Sequence, residues 1–196
     1  MTGSGQRTYL FAGILTCGAS MAAAVYFGAP TQPSAPLRDA LVQERPQVPD
    51  FKLSDASGKS VARDDIRGPW VASFMFADCG TQCPMMTAKL SQLSRRMPNV
   101  SFVSFSVDPA DTPAKLKRYA QAYRADWLFL TGGPGEVRKL SIEGFKLPVA
   151  DGTSEGEALI HSKNLVLVDK EGRIRGYYDS DDADSIRRLV SDASKI

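Results

Sequence analysis

The sequence lacks the features that mark nucleic-acid-binding and repeat proteins. Its 196 residues carry 24 Lys and Arg against 22 Asp and Glu, a formal net charge of +2. No run of like charges is long enough to form a basic arm, so we expect no nucleic-acid partner. No internal repeat is present, and the composition, 43% hydrophobic and 23% charged, is ordinary for a globular protein. These features predict one folded domain with accessory segments.

Charged residues are missing between Arg7 and Arg38. The stretch from Tyr9 to Phe27 is rich in Leu, Ile, Ala, Val and Phe, and as a helix it would be about 28 Å long, close to the apolar thickness of a bilayer. Residues 1–28 are therefore predicted to be an uncleaved membrane anchor, a cleaved signal peptide or a lipoprotein leader attached at Cys17. Each alternative places the rest of the chain across the membrane, and Arg7 favours a cytoplasmic N-terminus.

Residues 29–50 contain five of the twelve prolines in the chain. Such a segment tends to be extended and semi-rigid, so it is predicted to be a tether that holds the domain away from the bilayer. Arg38 to Arg45 has a second interpretation, as a short helix packed on the domain. The folded domain is predicted at residues 51–196, which is long enough for one well-buried core.

Apolar runs and helical stripes alternate along this predicted domain. Strands are predicted at 51–53, 70–76, 100–107, 127–130, 164–168 and 174–178. Helices are predicted after Cys83, after Thr112, over 136–142 and over 182–194. The order predicts an α/β fold, a thioredoxin-like three-layer sandwich with a mixed central sheet.

Cys79 and Cys83 are separated by three residues and followed by Pro84. They lie at the carboxyl end of the predicted 70–76 strand, where sites in open α/β sheets usually lie. Because Cys83 immediately precedes the predicted helix, we expect the helix dipole and free N–H groups to favour the Cys83 thiolate. The spacing is longer than the C-x-x-C of ordinary thiol oxidoreductases, which lets both sulfurs reach one metal ion.

The residues alone leave three interpretations of the cysteine pair open: a structural disulfide, a redox dithiol and a metal site. His161 is the only histidine in the chain, and two sulfurs with one imidazole nitrogen would favour Cu(I) over hard cations. Met85 and Met86 carry soft thioethers, but both are expected to pack in the core. No threonine lies three residues before either cysteine, so a peroxiredoxin-type T-x-x-C site is absent.

Four segments of the sequence resemble the signatures of the Sco/SenC family, and they occur in the family's order. They are Phe76–Met86, Ser106–Pro113, Trp127–Gly132, and His161-Ser162 followed by Leu165–Asp169 and Gly172. The resemblance covers about residues 51–196, and the four matches together are far more specific than any one alone.

Members of that family are membrane-anchored, thioredoxin-fold copper proteins that serve assembly of the dinuclear copper centre (CuA) of cytochrome c oxidase. They act as copper donors, as thiol–disulfide reductants, or both. The resemblance implies that Cys79, Cys83 and His161 bind copper, as Cu(I) or Cu(II), and that the two cysteines can form a disulfide. It also implies that Asp108 tunes or orders the site, although a turn role before Pro109 is the alternative.

The resemblance further implies two protein partners, the copper-bearing subunit of the oxidase and a copper donor. The domain would lie in the periplasm, tied to the membrane by the N-terminal segment. A thiol–disulfide oxidoreductase of the thioredoxin superfamily is the alternative function, so whether the protein is an enzyme stays open.

Two features depart from the family pattern. Gly80 stands where many members have proline, which is expected to loosen the loop between the cysteines. The stretch 147–159 holds two glycines and several acids, and our hypothesis is that it is a mobile loop that brings His161 to the cysteines when metal binds.

Overall fold

The computed structural model describes residues 46–147 and 163–196. The predicted membrane segment, residues 29–45 of the predicted tether, Cys17 and His161 lie outside these ranges. The strands are β1 (Lys52–Asp55), β2 (Ser60–Ala62), β3 (Trp70–Met75), β4 (Ser101–Ser106), β5 (Leu128–Thr131), β6 (Asn164–Val168) and β7 (Ile174–Asp179). The helices are α1 (Gln82–Arg96), α2 (Pro113–Ala122), α3 (Glu136–Lys139) and α4 (Ala183–Ala193). Among the described residues, no helix has the length and apolar character needed to cross a bilayer.

The seven strands form one mixed sheet in the order β2-β1-β5-β4-β3-β6-β7. The β3–β4 and β4–β5 pairs are parallel, and the remaining pairs are antiparallel. All six residues of β3 are buried, as a continuous apolar run with a strand on either side predicts. The predicted mixed sheet of an α/β fold is therefore confirmed.

Aromatic residues from outside the sheet pack on both of its faces. The strand register places Phe74 and Phe129 on opposite faces. Phe145 packs edge-on against Phe74, with 5.1 Å between ring centroids. Tyr119 of α2 packs against Phe129 at 5.9 Å. The sheet is thus enclosed between α2 on one side and the segment after α3 on the other.

The predicted helix over 136–142 differs in detail from the helix in the structure. After α3 the chain widens into a π-helical turn, Leu140–Gly144. Its wider geometry lets the Phe145 N–H donate to the Leu140 carbonyl at 3.0 Å, and the Phe145 side chain is completely buried. Core packing of Phe145 thus accompanies the local departure from a regular α-helix, which helical spacing in the sequence does not reveal.

The end of the predicted tether contacts the folded body. The Val48 N–H donates to the Gly172 carbonyl at 2.8 Å, and the Ile174 N–H donates to the Pro46 carbonyl at 2.9 Å. Val48 is completely buried, and the Arg63 guanidinium donates to its carbonyl at 2.8 Å. Residues 46–48 thus pack on the β6–β7 turn.

Three chain segments meet at one edge of the sheet. The carboxyl ends of β3 and β4 lie side by side, because these strands are parallel and paired. Strand β6 runs antiparallel to β3, with Trp70 opposite Val168 and Ala72 opposite Val166. The beginning of β6 therefore lies at the same edge as the end of β3, and the cysteines follow directly from that edge.

Candidate metal and thiol site

The connection between β3 and α1, residues 76–81, carries Cys79. This connection follows directly from the buried end of β3. Within it, the Cys79 N–H donates to the Phe76 carbonyl at 3.4 Å. Helix α1 begins at Gln82, so Cys83 is its second residue and Pro84 lies in its first turn, as predicted. Thr81, at the N-cap position, makes no side-chain capping bond to a described residue.

Cys79 is partly exposed, and its sulfur takes the place of a helix cap. Cys79 Sγ accepts a hydrogen bond from the Cys83 N–H at 3.3 Å. Burial acts to raise the pKa of Cys79, but the N–H groups of Cys83, Thr81 and Gln82 outweigh it, so the pKa is lowered. A Cβ added at Gly80 would meet nothing within 4 Å, so the residue after Cys79 faces open space. Cys79 is therefore the accessible and more readily ionised thiol.

Cys83 has the opposite environment. It is 0% exposed, and burial raises its pKa to about 12, with a further contribution from the neighbouring Cys79 sulfur. The expectation of a favoured Cys83 thiolate is therefore wrong. The helix begins at Gln82, two residues earlier than predicted, and the Cys83 side chain lies in the core rather than at the exposed end of the helix dipole.

Both thiols are free in the structure. The sulfurs are close enough for a hydrogen bond from Cys83 to Cys79, which raises the pKa of Cys83. Such a pair can chemically form a disulfide or bind a soft cation. No cluster of three His, Cys, Asp or Glu side chains suited to a metal occurs within residues 46–147 and 163–196.

Asp108 lies in the connection between β4 and α2, residues 107–112. Its Oδ1 accepts from the Ala110 N–H at 2.8 Å, and its carbonyl accepts from the Asp111 N–H at 3.0 Å. These are the contacts of a turn-forming aspartate. Among the described residues, Asp108 forms no hydrogen bond or ion pair with either cysteine.

Asp111 is the acid of this connection that sequence reasoning missed. Its side chain is fully buried, and Oδ2 accepts from the Ala77 N–H at 2.7 Å and the Ser106 hydroxyl at 2.5 Å. Oδ1 lies 2.6 Å from Lys115 Nζ. The one signal in the sequence was the opposite charge of Asp111 and Lys115, which lie four residues apart across the start of α2.

The two methionines after Pro84 separate in the structure. Met86 is 2% exposed and belongs to the core, as expected, whereas Met85 is 57% exposed. The expectation that Met85 packs in the core is therefore wrong. Its thioether is displayed on the first turn of α1, two residues beyond Cys83.

Comparisons with known proteins give a consistent result. The SCO1/SenC family model matches residues 40–195. The SCO1 protein homolog of Bacillus subtilis is 31% identical over 156 residues, which is 74% of this chain and 80% of that protein.

Solved structures share the fold. A SCO1/SenC family lipoprotein from Bacillus anthracis superimposes with a TM-score of 0.70 at 30% identity, covering 77% of this chain and 95% of that one. BsSco, described as a member of the Sco family of cytochrome c oxidase assembly proteins with a disulfide switch, gives 0.66 at 32% identity, covering 78% and 95%. Copper-bound ScoI of Bradyrhizobium japonicum gives 0.64 at 25% identity, covering 76% and 98%.

Proposed function

Because the chain belongs to the SCO1/SenC family, we propose that it binds copper and delivers it during assembly of the CuA centre of cytochrome c oxidase. The observation that carries the proposal is the pair of free thiols, Cys79 and Cys83, joined through an N–H···S bond at the carboxyl edge of the sheet. Support also comes from relatives that are described as copper-bound or as oxidase assembly proteins.

Two thiolates suit copper chemically. Thiolate sulfur is a soft ligand and selects Cu(I) over hard cations. The buried Cys83 thiol resists ionisation because burial disfavours its charged form, which a neighbouring positive charge would stabilise. A bound copper ion would provide that charge, and a coordinating thiol loses its proton. Copper uptake by this pair is therefore expected to release protons. Cu(II) remains a second oxidation state in the proposal.

His161 is the proposed third ligand. It lies outside the described residues, and the support comes from the neighbouring strand. The Lys163 carbonyl accepts from the Ser180 N–H at 3.0 Å, just before β6 begins at the edge that carries the cysteines. Two residues of extended chain reach at most about 7 Å, and this short separation in sequence between His161 and Lys163 supports the choice of His161.

Delivery would proceed by ligand exchange. Thiols of the oxidase subunit that receives copper would replace Cys79 first, since it is the exposed sulfur, and Cys83 afterwards. We place the domain in the periplasm, with residues 1–28 as the membrane segment and a separate protein as the copper donor.

The second candidate function is thiol–disulfide exchange, and the asymmetry of the two thiols favours it. The Cys79 thiolate would attack one sulfur of a target disulfide, forming a mixed disulfide and releasing the other target sulfur, which takes up a proton. Cys83 would then lose its proton and attack Cys79, which forms the Cys79–Cys83 bond and frees the second target thiol. Two electrons pass from the protein to the target.

A Cu(I) titration of the reduced full-length chain against a competing chelator tests the copper proposal. One tight equivalent is expected, lost in Cys83→Ser, weakened in His161→Ala and retained in the matched control Cys17→Ser. Absence of competitive binding, with disulfide exchange that survives His161→Ala, would reject copper delivery in favour of the second candidate.

A further inference from the structure

The connection that carries Cys79 is held from the inside by the β4–α2 connection. The buried Asp111 carboxylate accepts the Ala77 N–H and the Ser106 hydroxyl through the same oxygen. Water does not compete for these bonds, because the side chain is completely enclosed. The backbone two residues before Cys79 is thereby attached to the end of β4.

Lys115 holds the same connection from the outside. Its Nζ lies 2.6 Å from Asp111 Oδ1 and 2.8 Å from Asp78 Oδ2. The contact with Asp111 is local in sequence, since the two residues lie four positions apart across the start of α2. The contact with Asp78 is not local, because Asp78 is remote in sequence and immediately precedes Cys79. One ammonium therefore joins α2 to the cysteine connection.

The two contacts differ in environment, and the buried one secures the exposed one. The Lys115 side chain is 22% exposed and that of Asp78 is 75% exposed. An isolated exposed ion pair contributes little. Here the ammonium is already fixed by the enclosed Asp111, so Asp78 meets a positioned partner. The Asp111 and Asp78 carboxylates together raise the pKa of Lys115, which keeps it charged.

The connection that Asp111 and Lys115 hold lies next to the buried thiol of Cys83. Cys83 is fully buried, its N–H donates to Cys79 Sγ, and the Phe76 N–H bonds its sulfur and acts to lower its pKa. Both contacts come from residues 76–79, on either side of the backbone that Asp111 and Lys115 hold. The positions of the two sulfurs therefore depend on where this connection lies.

We propose that Lys115 is a positioning residue of the dithiol: by joining Asp78 to Asp111, it keeps residues 76–79 closed over Cys83 and leaves Cys79 as the reactive thiol. The inference rests on the proposed role of the two cysteines, but it does not require copper.

The test measures how fast Cys83 reacts with iodoacetamide, a small neutral reagent. The full-length chain with Cys17→Ser and Cys79→Ser retains Cys83 as its only thiol, since the sequence contains three cysteines. Serine at position 79 still offers an acceptor to the Cys83 N–H. Alkylation is followed by mass spectrometry, and urea unfolding of each variant reports its global stability.

Lys115→Met in this background is expected to raise the Cys83 alkylation rate at least about tenfold, through local opening of the connection. Lys115→Arg, which keeps the charge, is expected to stay within about twofold of the parent. Lys117→Met is the matched control, because Lys117 lies on the same helix and has no ion pair with a described residue. It should leave the rate unchanged.

Lys115→Met leaves Asp111 buried and uncompensated, which endangers folding. The double variant Lys115→Met with Asp111→Asn removes both charges and keeps an oxygen for the Ala77 N–H. It should still accelerate alkylation, because Asp78 has lost its partner. Asp78→Ala alone should accelerate it about threefold, since the loss is confined to the exposed contact.

Two results would overturn the inference. One is an alkylation rate in the double variant equal to that of Lys117→Met. The other is acceleration that merely follows the loss of global stability across all variants. A Cu(I) titration of the same substitutions with Cys79 restored separates the two proposals. Copper binding by the parent, with no effect of Lys115 substitution on the Cys83 alkylation rate, would reject the proposed role of Lys115 and retain the proposed function. Faster alkylation in the double variant, with no copper binding by the parent, would support the role of Lys115 and reject copper delivery.

Discussion

The molecule contains two strand-to-helix connections side by side, and they are built differently. Between β4 and α2, Thr112 caps the helix by accepting from the Lys115 N–H at 3.3 Å, and both aspartates are hydrogen-bonded. Between β3 and α1, the Thr81 side chain makes no cap with any described residue, and Cys79 Sγ accepts from the helix instead. The first turn of α2 thus donates to an oxygen atom, that of Thr112, whereas the first turn of α1 donates to the sulfur atom of Cys79.

The difference shows how a common fold acquires a reactive site. Oxygen caps are permanent acceptors and serve stability. A sulfur in that position is a weak acceptor when protonated and a strong one when ionised, so the helix end favours its charged form. Cys79 has this position and Cys83 does not, although they are only four residues apart. The oxygen-based connection in turn holds the sulfur-based one in place through Asp111.

The largest effect is expected from Asp111→Ala, which would remove the link between the two connections. The Ala77 N–H and the Ser106 hydroxyl would lose their acceptor, and Lys115 would lose its buried partner. We expect a loss of about 3–5 kcal/mol in the free energy of unfolding, measured in urea. Asp184→Ala, on the exposed first turn of α4, is the control and should cost less than about 1 kcal/mol. A similar small cost for Asp111→Ala would show that the connections are independent.

The pH dependence of stability should distinguish the two sulfurs. The unfolded thiol pKa is 9.0 and that of folded Cys83 is about 12. The unfolded chain therefore loses this proton first, so the contribution of Cys83 is complete below pH 9 and is lost between pH 9 and 12. Cys79 has the opposite sign, because its lowered pKa adds stability above pH 9 that is lost as the pH falls through its folded value.

Urea unfolding of the reduced protein from pH 8 to 10.5 measures this effect. The expected decline from Cys83 is on the order of 1–2 kcal/mol across that range. The same series is measured for Cys83→Ala. Subtracting its unfolding free energies from those of the parent removes the contribution of the tyrosines, which also titrate at high pH. Identical slopes for the two proteins would mean that Cys83 is not protected from ionisation by burial.

The sequence predicts this architecture well where the signal is local. The apolar run of β3 and the Thr112-Pro113 start of α2 both appear in the structure as expected. The Cys83 environment was not predictable, because α1 begins two residues earlier than the pattern predicts, which turns the side chain from the exposed helix end into the core. Asp111 was missed because its partner Ala77 is distant in sequence, and nothing local distinguishes an inward from an outward acid in this turn.

Removing the capping hydroxyls tests the comparison directly. Thr112→Ala should cost about 1 kcal/mol, because the Lys115 N–H loses its acceptor. Thr81→Ala should change the free energy of unfolding by no more than about 0.3 kcal/mol, since its hydroxyl caps nothing among the described residues. Urea unfolding of both variants in the reduced protein gives the two values. Equal costs would show that Thr81 caps α1 in solution and that Cys79 is not the substitute.

An effect of the opposite sign is expected at Gly80, which follows Cys79 directly and lies two residues before the start of α1. Its backbone is not in the left-handed region and an added Cβ would meet nothing within 4 Å, so Gly80→Ala should fit without strain. Alanine restricts the unfolded chain more than glycine does, which predicts a gain of about 0.4–1 kcal/mol in urea unfolding. Gly58→Ala is the contrasting control, because its φ of +83° lies in the left-handed region, and it should destabilise the protein. If Gly80→Ala also destabilises the protein, the connection between β3 and α1 needs glycine for a movement that is not visible while residues 76–79 are closed over Cys83. The flexibility of the sulfur-capped connection would then be part of its function.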